Sequence, residues 1–140
     1  MHVTVTGYAP GAYDLFHVGH LNILRRASAR CDRLVVGVVT DEVVHRVKGR
    51  LPIVPFDERL EIVRSIRYVD EAVADPYTDK FEAWEDLRYD ILFKGDDWRG
   101  TAKGKRLEER LGAVGARVVY FPYTMHTSST VLRKVISETA

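Results

Sequence analysis

The stretch GYAPGAYDLFHVGHLNIL, Gly7 to Leu24, sets two histidines, His17 and His20, three residues apart with Gly19 between them. A glycine-rich turn precedes them and an apolar, helix-like run follows. Three roles suit such a pair. Residues three apart on a helix share a face and imidazole is a common metal ligand, but zinc asks for a third and fourth ligand. His126, Asp14 and Asp96 could supply them, although no cysteine partner or HExxH arrangement accompanies the pair. The second role is packing or capping. The third is phosphate chemistry. A helix N-terminus offers unpaired N–H groups and a positive dipole end, and Gly11 lets backbone approach a ligand closely. The imidazoles add donors that can follow charge as it builds on phosphorus.

The elements that would position these residues follow from the pattern of the chain. Short β-branched runs alternate with longer amphipathic ones. Val3–Gly7, Arg33–Thr40, Val69–Asp75, Asp90–Gly95 and Arg117–Phe121 read as strands, and the near-continuous valines of the second suit a strand buried on both faces. Helices are expected over Leu21–Ala29, Phe56–Ile66, Phe81–Leu87, Arg106–Val114 and Ser128–Ile136, with a short helical piece from Asp41 and a loop over Lys48–Pro55. This alternation predicts a Rossmann-like, doubly wound sheet of five parallel strands with helices on both faces, one domain across residues 1–140. Ligands in such folds bind at the carboxyl edge of the strands, near the switch point. The His pair follows strand one, KGDDWRG follows strand four and PYTMHTSST follows strand five, so three polar clusters project from one edge.

Composition narrows the class. The chain has 140 residues, 46% hydrophobic and 29% charged, with a formal net charge of +1. There is no global basic excess to suggest nucleic acid, so anion binding has to come from local placement. A single cysteine, Cys31, rules out an internal disulfide framework. The start MHVTVTGYAP lacks a charged, long-apolar leader, and no apolar run approaches the roughly 20 residues that span a bilayer. A cytoplasmic protein is expected.

No Ser–His–Asp or Cys–His set is evident. Nucleotidyl transfer to a phosphate or phosphonate needs none, because an attacking oxygen whose second pKa is about 6 is already ionised at neutral pH. Alignment of that oxygen with the α-phosphorus can supply roughly 7–11 kcal/mol, and preorganised donors stabilise the five-coordinate centre and the departing pyrophosphate.

GAYDLFHVGH looks like the HxGH signature of the nucleotidyltransferase superfamily. With RYVDE (Arg67 to Glu71) and KGDDW (Lys94 to Trp98), nearly the whole chain resembles the small cytidylyltransferases of the glycerol-3-phosphate cytidylyltransferase type. The resemblance implies that His17 and His20 grip the triphosphate and stabilise the transition state, with Lys48 as a phosphate-binding lysine. It implies a phosphate cradle from Gly11, Ala12, Tyr13 and Asp14, and nucleotide contacts from Gly95, Asp96, Trp98, Tyr123, His126, Ser128, Ser129 and Thr130. Arg59, Arg67 and Asp97 would meet the acceptor. Mg²⁺ would arrive on the CTP phosphates with no protein metal ligand implied. No nucleic-acid or membrane partner is implied, and a homodimer is.

The sequence departs from the family pattern before the last helix. Where RTEGIST is expected, YTMHTSS stands: Tyr123, Met125 and His126 replace arginine, glutamate and glycine, and Ala12 replaces a common threonine. Losing arginine removes a fixed charge and a bidentate fork, which leaves acceptor identity open between glycerol 3-phosphate and a hydroxyalkyl phosphonate such as 2-hydroxyethylphosphonate. Adenylyl transfer from ATP and a non-catalytic nucleotide-binding module are the further alternatives.

Overall fold

The computed structural model describes residues 3–122 and 128–139. Five parallel strands form one sheet: β1 (Thr6–Gly11), β2 (Arg33–Val39), β3 (Glu71–Asp75), β4 (Ile91–Gly95) and β5 (Arg117–Phe121). Six helices connect and flank them: α1 (Val18–Ser28), α2 (Asp41–Lys48), α3 (Phe56–Arg64), α4 (Lys80–Leu87), α5 (Ala102–Gly112) and α6 (Ser129–Thr139). The strand order is β3-β2-β1-β4-β5, so the chain winds one way from β1 and then returns past it. The switch point therefore lies between β1 and β4.

Alternation along each strand sorts the core into two layers. Ala9, Leu34, Val36, Val38, Ile91 and Phe93 face one side, packed against Leu24 and Ala27 of α1 and Val63 of α3. Tyr8, Val35 and Leu92 face the other, packed against Ala83 of α4 and Leu107 and Leu111 of α5. Gly37 is required where Tyr8 crosses β2, since a Cβ there would lie 2.0 Å from the Tyr8 hydroxyl. That hydroxyl donates to Asp75, whose carboxylate is wholly buried. No described helix is long and apolar enough to cross a membrane.

β1 differs from its expected span. It begins at Thr6 and continues through Pro10 to Gly11. Pro10 lacks an N–H for a ladder, and its tolerance is explained by what its neighbours do. Beside β2, β1 pairs over its full length, to Gly11↔Val38. Beside β4 the register covers just Gly7↔Ile91 and Tyr8↔Leu92. The carboxyl ends of β1 and β4 thus part at the switch point, and a cleft opens between them.

Helix bounds also differ from the pattern-based expectation, and α5 begins at Ala102, four residues before the expected Arg106. α1 starts at Val18, three residues early, because His17 supplies its N-cap. Lys48 is the last residue of α2 and not part of the following loop. Gly49, at φ 75°, stops that helix in the left-handed conformation that glycine adopts without strain.

Candidate active site

The cleft between β1 and β4 is a cavity of about 450 Å³. Its floor comes from the two parting strands, through Pro10, Gly11, Phe93, Lys94 and Gly95. One part of its wall is the start of α1, with His17, Gly19 and His20, and another is the start of α6, with Ser128, Ser129 and Thr130. Two helix N-termini thus border one space, each a donor-rich, electropositive end.

The two histidines form a reciprocal cap. His17 Nδ1 accepts the Gly19 N–H at 2.9 Å, and His20 Nδ1 accepts the His17 N–H at 3.2 Å. This is the capping-box arrangement with imidazoles in both roles. A ring whose Nδ1 accepts must carry its proton on Nε2 when neutral. Burial lowers the pKa of His17 from its ordinary value. Burial and then the neighbouring His17 lower that of His20 to about 3, against an opposing pull from Asp14 and with a lesser push from Lys48. Both rings are neutral near pH 7 and present Nε2–H as a donor. Their centroids lie 4.0 Å apart.

The loop between β1 and α1 is held in a sparsely populated backbone conformation. Tyr13 and Leu15 have φ of 53° and 54°, an arrangement that persists where the surroundings over-determine it. Tyr13 is buried, its hydroxyl donates to the Ala9 carbonyl at 2.9 Å, and its ring meets His20 edge-on at 5.3 Å. Gly11 lies close beneath it, and a Cβ there would press against the Tyr13 ring at 3.0 Å. Asp14, buried beside it, accepts the N–H groups of Ile53 and Val54, both at 2.9 Å, and Arg133 at 3.4 Å. Its own carbonyl accepts the Ser129 hydroxyl at 2.6 Å. Asp14 therefore ties the segment before α3, and α6, to the first loop.

The cavity brings together most of the residues singled out from the sequence. Gly11, Ala12, Tyr13, Asp14, His17, His20, Lys48, Gly95, Asp97, Ser128, Ser129 and Thr130 all line it. Partial burial, and then Arg133 and Arg50, lower the pKa of the Lys48 ammonium. Ser128 accepts the Val131 N–H at 3.1 Å, a capping bond at the start of α6. Tyr123, Met125 and His126 lie outside the described residues.

Four residues stand elsewhere. Arg59 is fully buried and turned inward: Nε donates to the Val54 carbonyl at 2.8 Å, Nη1 to the Ala12 and Val39 carbonyls at 2.6 and 2.8 Å, and Nη2 to Asp41 at 2.6 Å. It is an internal clamp on the loops around the cleft, and its position does not suit the acceptor contact expected from the sequence. Arg67 is exposed beside Tyr68 and precedes β3, at the amino edge of the sheet, away from the cavity. Asp96 sits in the single 3₁₀ turn after β4, outside the lining. Trp98 is in the same turn and packs into the second core layer under Lys94, whose ammonium is 4.1 Å from its ring centroid.

Among the lining residues that sequence reading missed are Asn22, Ile23, Arg26, Lys94 and Arg133. The signal for the first three was present. Gly19, Asn22, Ile23 and Arg26 fall at i, i+3, i+4 and i+7, one helical stripe carrying the site's own glycine. Lys94 and Arg133 carried no such mark. Burial, and then Lys80, lower the Lys94 pKa.

Among the described residues, no group of three or more His, Cys, Asp or Glu side chains is placed to hold a metal ion. The site's anchored carboxylate, Asp14, is already engaged by backbone N–H groups and Arg133.

Comparison with known proteins agrees with this geometry. A family model described as cytidylyltransferase-like matches residues 8–137. FAD synthase of Pyrococcus abyssi is 35% identical over 129 residues, covering 90% of this chain and 86% of that protein. FAD synthase of Thermococcus kodakarensis is 35% identical over 127 residues, covering 90% and 85%. Ethanolamine-phosphate cytidylyltransferase of Arabidopsis thaliana is 41% identical over 95 residues, which are 64% of this chain and 22% of that one. A solved lipopolysaccharide core biosynthesis protein from Thermoplasma volcanium shares the fold with a TM-score of 0.73 at 24% identity, over 89% of this chain and all of that one. With the family model spanning nearly the whole chain and both histidines at the cleft, the chain belongs to the cytidylyltransferase-like family of nucleotidyltransferase enzymes.

Proposed function

We propose that this enzyme transfers CMP from CTP to a phosphate or phosphonate oxygen of a small acceptor and releases pyrophosphate. The observation that carries the reading is the pair of neutral imidazoles capping α1 at the switch-point cleft, with Nδ1 of each spent on backbone and Nε2–H left as donor. The acceptor oxygen is ionised at neutral pH, so no general base is required. It attacks the α-phosphorus, a new P–O bond forms, the α–β bridging bond breaks, and pyrophosphate leaves with the electron pair. Charge grows on the α-phosphoryl oxygens and on the leaving group. His17 and His20 stabilise it as preorganised donors, each worth about 10²–10³ in rate. Arg26, Lys48, Lys94 and Arg133 line the same cavity and offset the triphosphate. Mg²⁺ belongs to the nucleotide substrate, where it neutralises the polyphosphate.

CTP as donor is supported by the family match and by the 41% identity to an ethanolamine-phosphate cytidylyltransferase. Glycerol 3-phosphate is the default acceptor, and a hydroxyalkyl phosphonate presents the same P–O⁻. A second reading, adenylyl transfer from ATP, is favoured by the FAD synthases, which this chain matches over 85–86% of their length. Pyrophosphate release with CTP or ATP, against glycerol 3-phosphate, ethanolamine phosphate, 2-hydroxyethylphosphonate and FMN, separates the readings. Turnover with ATP alone overturns cytidylyl transfer, and turnover with neither overturns both. A homodimer is part of the proposal, and sedimentation equilibrium tests it.

A further inference from the structure

A second cavity, of about 260 Å³, lies on the other face of the sheet. α5 contributes Lys103, Arg106, Leu107 and Arg110, at i, i+3, i+4 and i+7, one stripe of that helix. Facing it are Thr78, Asp79 and Lys80 at the start of α4, and Trp98 from the turn after β4. Four cations thus surround a space with one carboxylate. That carboxylate is committed: Asp79 caps α4 by accepting the Phe81 N–H at 2.8 Å and pairs with Arg110 at 2.8 Å. Among the described residues, no ion pair engages Lys80, Lys103 or Arg106. In a chain of net charge +1, this is a local concentration of positive charge.

The second cavity meets the first at the contact between Lys94 and Trp98. Lys94 lines the catalytic cavity, its ammonium lies 4.1 Å from the Trp98 ring centroid, and Trp98 lines the second cavity. Lys103 approaches the same ring at 5.7 Å. Lysines attend the indole from both cavities, and the free space is bordered by cations. A phosphate-type anion suits that lining, and an apolar group does not.

We infer that this second cavity is a phosphate-anion subsite neighbouring the catalytic cleft across the Lys94–Trp98 contact, and that it receives a second anionic group of the acceptor. The inference rests on the nucleotidyl-transfer reading for its occupant, though not for its charge. An inorganic phosphate ion has the same chemistry, so the test has two arms.

In the first arm Trp84→Phe leaves Trp98 as the sole tryptophan of a chain that has two, and its emission is followed during titration with inorganic tripolyphosphate. A saturable change is expected, with a midpoint raised about tenfold or more by Lys103→Gln/Arg106→Gln, since charge-assisted bonds of this kind exceed the tenfold threshold. Lys48→Gln, confined to the catalytic cavity, must leave that midpoint within about twofold. A midpoint that follows Lys48 and ignores Lys103 and Arg106 overturns the subsite. In the second arm, pyrophosphate release is compared for glycerol 3-phosphate and glycerol 1,3-bisphosphate. The bisphosphate is expected to have a KM at least about tenfold lower, and Lys103→Gln/Arg106→Gln should collapse that ratio toward one. Saturable binding with no acceptor preference overturns the acceptor assignment in favour of a free anion. Binding without turnover on any acceptor sinks the nucleotidyl-transfer reading and leaves the anion subsite standing.

Discussion

His17 and His20 bond each other's backbone neighbourhood in a closed pair: His20 Nδ1 accepts the His17 N–H, and His17 Nδ1 accepts the Gly19 N–H. Capping and chemistry therefore use different nitrogens of the same ring, and substitution can separate them. Asparagine is a good N-cap but lacks the outer Nε2–H. His17→Asn should keep stability within about 1 kcal/mol of the parent while kcat falls about 10²–10³-fold. His17→Ala should lose both, with a further ~1 kcal/mol in stability. Urea denaturation beside pyrophosphate release measures the two effects. A His17→Asn enzyme with near-parental kcat would remove His17 from the chemistry.

The depressed pKa of His20 makes stability depend on pH. Folding holds the ring neutral down to about pH 3, whereas the unfolded chain protonates it near the ordinary value of 6.5. Below 6.5 the unfolded state binds more protons, so stability falls as pH falls through the window from 6.5 toward 3. From pH 7 to pH 5 this one group should cost on the order of 2 kcal/mol. Denaturation midpoints of parent and His20→Gln at both pH values test it: the variant should lose markedly less. Equal losses would mean that His20 does not control the acid limb.

Arg59 bridges four acceptors from three segments, the carbonyls of Ala12, Val39 and Val54 and the carboxylate of Asp41. Lysine has one ammonium in place of the planar fork and cannot reach them together. Arg59→Lys is expected to destabilise by about 2–3 kcal/mol, and Arg59→Met by about 3–5 kcal/mol, since buried carbonyls and a carboxylate lose their donor. Thermal or urea unfolding reads this. Parental stability with an acceptor KM raised tenfold would return Arg59 to the acceptor role expected from the sequence.

Much of the fold was legible because its signals are local. The valines of β2, the glycine that ends β1 and the His pair each lie within a few residues of what they determine, and the carboxyl-edge convergence of three loops followed from strand alternation alone. The first strand was expected to end at Gly7, and its extension through Pro10 is a tertiary matter, because a proline inside a central strand is tolerated only where the partner strand has already diverged. Arg59 misled for the same reason. Its charge suggested a ligand, while the unpaired carbonyls that it serves come from loops 5 to 47 residues away. Lys94 and Arg133 acquire their place at the cleft through the β1–β4 gap and the docking of α6, neither of which leaves a periodic trace in the chain.

The docking of α6 supplies the last prediction. None of its described residues is buried, so hydrophobic packing contributes little to holding it. Its tethers to the first loop are polar: Ser129 to the Asp14 carbonyl at 2.6 Å, and Arg133 to the Asp14 carboxylate at 3.4 Å. The same start of α6 forms one wall of the cleft. Ser129→Ala/Arg133→Gln should therefore cost only about 1–2 kcal/mol of global stability, yet raise amide exchange in α6 at least about tenfold, because a segment with few apolar contacts opens locally before the core does. The KM for nucleotide should rise more than kcat falls, since the variant loosens a binding wall and leaves both imidazoles in place. Exchange confined to the parental rate, with an unchanged nucleotide KM, would show that α6 is held by something other than Asp14.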